Sequence, residues 1–232
     1  RYCRGIPSEA LRVTGTTDRS GTRISFLPDS RIFETTNFSF DLLSKRLREM
    51  AFLNSGLSIT IDDRRPDTDA KSHSFCYSGG ISSFVSYLNE TRHPLHDEPL
   101  CFTRSIDTDS GAAVILEVAL QYNTGYQEEI FSFANNINTV DGGTHLTGFK
   151  TALTRCLNEY AASANLFRKS GESFSGSDVR EGLTAVVSVK LSDPQFEGQT
   201  KTRLGNRDVQ GVVSSAVYDG LAQFLEEKPG TA

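Results

Sequence analysis

Some stretches of the chain alternate apolar and polar residues with a period of two, the spacing of a half-buried strand. Others repeat apolar residues every three or four positions, the spacing of a helix with one buried face. Residues 11–15 (LRVTG) and 21–27 (GTRISFL) read as hairpin strands joined by TTDRS. Ser39 is a good helix N-cap, and Phe38 and Leu43 have the spacing of a hydrophobic staple. The helix that follows gathers Leu43, Leu47, Met50 and Ala51 on one face. GLSITID alternates Leu57, Ile59 and Ile61 with polar neighbours, and a charged loop, residues 62–73, leads to a strand HSFCY.

GGISSFVSYLNE then sets Ile81, Phe84, Val85 and Leu88 at helical spacing, and RHPLHDEP reads as a loop. AAVILEVALQY and EEIFSFANNI read as two strands joined into a hairpin by NTGYQ. Residues 144–162 carry Leu146, Phe149, Leu153, Leu157 and Tyr160 on a helix. GLTAVVSVKL, residues 182–191, is apolar at nearly every position, which predicts a central strand. A last helix starts from Asn206 as N-cap and shows a broad stripe from Val209 to Phe224. Mixed strands and helices without a repeat predict an α+β chain in two units.

With 232 residues, 37% hydrophobic and 23% charged, the chain has the composition of a globular protein with a real core. Its net charge of −5 rules out a uniformly basic surface, so nucleic-acid contact would need a local patch or groove. No apolar run approaches the ~20 residues of a membrane span. Cys3, Cys76, Cys101 and Cys156 lack metal-site spacing and read as reduced thiols of a cytoplasmic protein.

Candidate chemistry is sparse. His93, His96, Asp97 and Glu98 could ligate a metal, but Pro94 and the polar loop favour solvated side chains, so no metal site is assigned. Walker A, GxGxxG and GxSxG signatures are absent. Asn37 and Asn89 sit in glycosylation patterns with no sign of secretion. DGGTHLTGFK reads as a tight turn capped by Thr144, entering a helix that could present Lys150 and Arg155 to a partner. The long loop DPQFEGQTKTRLGN, residues 193–206, places Gln199 and Lys201 two residues apart. On extended backbone both would face one side and offer an amide and an ammonium to an anion such as phosphate. A solvated loop lysine is the other reading.

Three longer motifs, FANNINTVDGGTHLTGFKTALTR, REGLTAVVSVKLSDPQFEGQTKTRLG and KRLREMAFLNSGL, resemble the B subunits of bacterial DNA gyrase, type IIA topoisomerases. The resemblance covers essentially the whole chain. It implies the C-terminal part of a GHKL ATPase sandwich over residues 1–78, then a ribosomal-protein-S5-domain-2-like transducer over residues 79–232. It implies that Gln199 and Lys201 of the QTK loop touch the γ-phosphate of ATP, where the Lys201 ammonium would stabilise charge on the transferring phosphoryl group. It puts Gly21 and Thr22 at the floor of the adenine pocket, and Lys150 on a helix facing a cavity through which DNA passes. ATP and Mg²⁺ are the implied cofactors. The implied partners are DNA, the gyrase A protein and a second copy of gyrase B in an A2B2 enzyme. The family's general base, Mg²⁺ ligand, adenine-binding aspartate and ATP lid would precede Arg1, so the chain alone is expected not to hydrolyse ATP. The B protein of topoisomerase IV is the near alternative. A non-catalytic S5-like module binding RNA is a second, although such a module has no need of a QTK loop.

Overall fold

The computed structural model describes residues 1–65, 69–107, 113–167, 169 and 171–231. The chain divides into two compact units, Arg1–Leu43 and Ser44–Ala232.

In the first unit, β1 (Tyr2–Cys3) and β2 (Ile6–Pro7) pair antiparallel across Arg4 and Gly5, both with positive φ. The two strands expected at residues 11–15 and 21–27 do not form. Leu11, Val13, Ile24, Phe26 and Leu27 all lie exposed. The alternation is real, but no further strand or buried face within this unit receives it, and an isolated hairpin is marginal in water. Ser39 does cap the helix α1 (Phe40–Leu53): its Oγ accepts the Leu42 N–H at 3.2 Å. Phe38 meets Phe26 edge-on, ring centroids 5.5 Å apart.

The second unit continues along α1. Met50, expected on the apolar face, is exposed, while Ser44, Glu49, Ala51, Phe52 and Leu53 are buried. Glu49 is held by Arg46 at 2.7 Å, one turn back, and Ser44 Oγ meets His73 Nδ1 at 3.0 Å. β3 (Ile59–Asp63) and β4 (Lys71–Phe75) form a two-stranded sheet, and α2 (Gly80–Asn89) follows with Ile81, Phe84 and Val85 buried, as expected. Part of the charged loop between β3 and β4, residues 66–68, lies outside the described residues.

The remaining strands are β5 (Leu100–Asp107), β6 (Ala113–Tyr122), β7 (Glu129–Ala134), β8 (Ile137–Asn138) and β9 (Leu183–Leu191), in one sheet of order β5-β6-β9-β7-β8. The β5 segment LCFTRSID sets Leu100, Phe102 and Ile106 on one face and Cys101, Thr103, Ser105 and Asp107 on the other, an alternation that Arg104 interrupts. It pairs with β6. The hairpin expected between β6 and β7 is not there. β9 inserts between them, antiparallel to β6 and parallel to β7. Buried on both faces, β9 takes the centre and excludes β7 from β6. The NTGYQ segment bonds elsewhere: the Asn123 N–H donates to Gly182 O at 2.9 Å and the Thr124 N–H to His93 O at 3.2 Å. EEIFSFANNI itself folds back, because Asn135 and Asn136 take φ of 48° and 65° and make a two-residue turn into β8.

The helix α3 (Thr144–Ser163) is the crossover that a parallel β7–β9 pair requires. The helix α4 (Arg207–Glu227) lies against it, so close at Gly148 that a β-carbon there would sit 2.5 Å from Gln210 O. One sheet face, with Leu116, Val118, Val187 and Val189, packs on Phe149, Leu153, Val213 and Val217 of α3 and α4. The other, with Ala119, Phe133 and Val186, packs on Phe52, Ile81, Phe84 and Val85. The first of these cores fixes α3 and α4, and the long loop leads from the end of β9 to the start of α4.

Candidate functional site

The segment 193–206 is a small closed hairpin, not an open connection. Its rails are joined by Gly205 N–H to Gln195 O at 2.7 Å and Glu197 N–H to Arg203 O at 2.9 Å. Phe196 and Leu204 face each other in a bridge and sink into the core, Leu204 completely. At the tip the Lys201 N–H reaches Gly198 O at 3.3 Å, closing a turn over Gln199 and Thr200. Gly198 takes φ +90° and Lys201 φ +55°. The extended geometry assumed for Gln199-Thr200-Lys201 is therefore wrong: the two side chains share one exposed turn instead. A lysine in the left-handed region is strained, and such strain persists where the surroundings over-determine it. The Lys201 ammonium lies 5.9 Å from the centre of the Phe196 ring, within cation–π range.

The loop is fastened to the start of α3. Asp141 N–H donates to Thr202 O at 2.9 Å, Leu204 N–H to Gly142 O at 3.1 Å, and Thr144 N–H to Leu204 O at 3.1 Å. This close approach explains the paired glycines. At Gly143, with φ +137°, a β-carbon would sit 2.4 Å from Leu204 O. Gly143 occupies the N-cap position, so Thr144 is not the cap that the sequence suggests. Beneath the turn His145 is fully buried; its Nε2 lies 3.2 Å from Thr139 Oγ1, which bonds Ser132 in turn. Burial pulls the imidazole down to about 4.

Lys150 lies on α3, six residues beyond Thr144, about 9 Å along the axis. Its ammonium is not free: Glu128 holds it at 2.5 Å, and the other oxygen of the same carboxylate takes Arg180 at 2.6 Å. Arg155 stacks over Tyr218 at 4.2 Å. Gly21 and Thr22 lie in exposed coil of the first unit. His96 is committed to structure, because its Nδ1 meets Glu98 O at 2.7 Å while Nε2 accepts the Tyr122 N–H at 3.3 Å. Among the described residues no group of three or more His, Cys, Asp or Glu could hold a metal.

A sequence-family model described as DNA gyrase B matches residues 80–232. The chain belongs to the DNA gyrase B family. It is 52% identical over its whole length to the DNA gyrase B protein of Myxococcus xanthus and 51% identical over 98% of its length to that of Clostridium acetobutylicum. It spans 27% and 35% of those gyrase B relatives, respectively. Its structure is similar to the 43K ATPase domain of Thermus thermophilus gyrase B, solved in complex with an aminocoumarin, with a TM-score of 0.73 and 40% identity over 88% of this chain and 53% of that one. The gyrase B structure from Myxococcus xanthus gives 0.74 at 29% identity, covering 89% of this chain and 62% of that one. These likenesses bear out the mixed α+β architecture of gyrase B ATPase structures, and the topoisomerase IV alternative is no better supported.

Within this chain, sequence reasoning finds Gln199, Lys201, Gly142 and Gly143 but misses what supports them. Phe196 is the ring under the ammonium, and Glu128 and Arg180 share the ion cluster of Lys150. None carries a signal of its own, since a loop phenylalanine and two surface charges are ordinary until the fold gathers them. Asn206 stands out in the sequence, but for a different task. It makes no side-chain cap for α4 and bonds the loop instead.

Proposed function

We propose that this chain is part of the ATP-operated gate of a gyrase B protein, coupling ATP binding and hydrolysis to DNA strand passage and negative supercoiling. The observation that carries the reading is the exposed Lys201 at the tip of a pre-bent loop, stitched by three backbone hydrogen bonds to the start of α3. Two kinds of donor stand together at the tip: a point charge from Lys201 and a directed amide from Gln199. That donor set fits a terminal phosphate. Lys201 meets the γ-phosphate and stabilises the charge that grows as the phosphoryl group transfers, and Gln199 positions it. A displacement of the tip would pass through the stitched backbone to α3 as a rigid element.

In the same reading Gly21 and Thr22 belong to the adenine pocket, and Lys150 faces the DNA. Mg²⁺ accompanies the nucleotide, with no residue of this chain assigned to it. The gyrase A protein and a second gyrase B are the partners in an A2B2 enzyme in the cytoplasm. Among the described residues no helix is long and apolar enough to cross a membrane. The family match beginning at residue 80 supports a division into an ATPase part over 1–78 and a transducer over 79–232.

The test is Lys201→Ala in a full-length gyrase B carrying this sequence. Losing one electrostatic donor of this kind costs about 10²–10³ in turnover. ADP affinity should stay near wild type, because ADP lacks the group that Lys201 meets. Intact turnover, or ADP weakened as much as a non-hydrolysable ATP analogue, would return Lys201 to an ordinary solvated lysine.

A further inference from the structure

A helix that begins at Asn206 should use that side chain as its cap, accepting a backbone N–H of its own first turn. Here the amide points away from α4 and across the loop. Its Oδ1 accepts the Gln195 N–H at 2.8 Å, and its Nδ2 donates to Asp193 O at 3.1 Å. The position of these two bonds explains them. The rails of the hairpin are held by backbone bonds at Glu197–Arg203 and Gln195–Gly205. One step further from the tip the ladder cannot continue. The next rung would pair Asp193 with Arg207, and Arg207 starts the helix and turns its backbone away. The Asn206 amide, one donor and one acceptor in a plane, supplies the missing rung.

We infer that Asn206 is a positioning residue for Lys201: by clamping the mouth of the 193–206 hairpin it fixes the direction in which the tip is presented. The inference rests on the reading of Lys201 as the γ-phosphate contact. The loop has two anchors. One face is stitched to Gly142 and Thr144 by backbone bonds that no side-chain substitution removes directly. The rail 193–195, on the side away from that seam, has Asn206 as its tie to the start of α4. Releasing this tie frees one rail only, so the tip swings while the fold stands.

Asn206→Ser separates the two tasks, because serine caps a helix well but is too short to reach both Asp193 and Gln195. In the 232-residue chain, hydrogen exchange should show the Glu197 and Gly205 amides about tenfold faster, with the α4 amides of Val213 and Val217 unchanged. Unchanged loop exchange, or loop and α4 loosening together, would make Asn206 an ordinary helix-start residue. In full-length gyrase B, Asn206→Ser should lower turnover at saturating ATP about three- to tenfold, leave ADP affinity unchanged, and cost nothing more on top of Lys201→Ala. An additive loss in that background, or weakened ADP, would overturn the positioning role. If Lys201→Ala alone leaves turnover intact, the γ-phosphate reading fails, and faster loop exchange would still mark Asn206 as the clamp.

Discussion

The stretches at residues 11–15 and 21–27 and the strand β6 show the same period-two alternation, and they end in opposite states. In β6, Val114, Leu116, Val118 and Leu120 are buried between neighbouring strands and two helices. In the Arg1–Leu43 unit, Leu11, Val13, Ile24 and Phe26 stand in water with no strand formed. Alternation shows which residues could share a face. It does not supply the partner strand that takes up the backbone hydrogen bonds, nor the layer that covers the face. β9 stands at the other extreme, apolar on both faces, and its burial decides the order of the whole sheet.

The largest effect should come from the core of the larger unit. Phe149 is fully buried between α3 and the sheet. Phe149→Ala should cost about 3–5 kcal/mol by lost transfer energy and the cavity left behind, read as a fall in the urea midpoint of residues 44–232. A loss under about 1 kcal/mol would mean that this core collapses around the gap and is far less rigid than its packing implies.

The next effect is set by pH. His145 is neutral in the fold, with its proton affinity lowered by burial to about 4. Its usual value, near 6.5, applies when the chain unfolds. The folded state therefore binds the proton more weakly, so its contribution is fully present above about 6.5 and is lost as the pH falls towards 4. The loss amounts to about 3 kcal/mol. His145→Gln should flatten urea stability between pH 6.5 and 4 relative to wild type. Parallel pH profiles for the two would show that the imidazole is hydrated in the fold.

The sequence was legible where a segment's own pattern decides its fate. α2, α3, α4 and the central β9 follow from apolar spacing alone, and Ser39 caps α1 as its type suggests. It was illegible where the decision is made elsewhere in the chain. β7 leaves β6 because β9 is more fully apolar. The site divides in the same way. Lys201 and Gln199 could be picked out by residue type and loop context, whereas the bend of their backbone could not. That bend depends on Gly198, on the strained φ of Lys201 and on the seam with Gly142 and Thr144. Asn206 misleads because a helix start and a loop end compete for one amide, and only its bonds to Gln195 and Asp193 show which wins.

The smallest expected effect is the sharpest form of the comparison. Leu11 and Ile24 are as apolar as Leu116 and Val118, and on composition alone their loss should matter equally. Leu11 lies fully exposed, and Ile24 is nearly so. A side chain already in water gives up almost no buried area when shortened. Leu11→Ala and Ile24→Ala should therefore each change stability by no more than about 0.5 kcal/mol in the 232-residue chain, against about 2–5 kcal/mol for Leu116→Ala. Urea unfolding of the three variants beside wild type makes the measurement. A loss above about 1 kcal/mol at Leu11 or Ile24 would mean that residues 11–15 and 21–27 pair in solution after all, and that the alternation there finds a covered face.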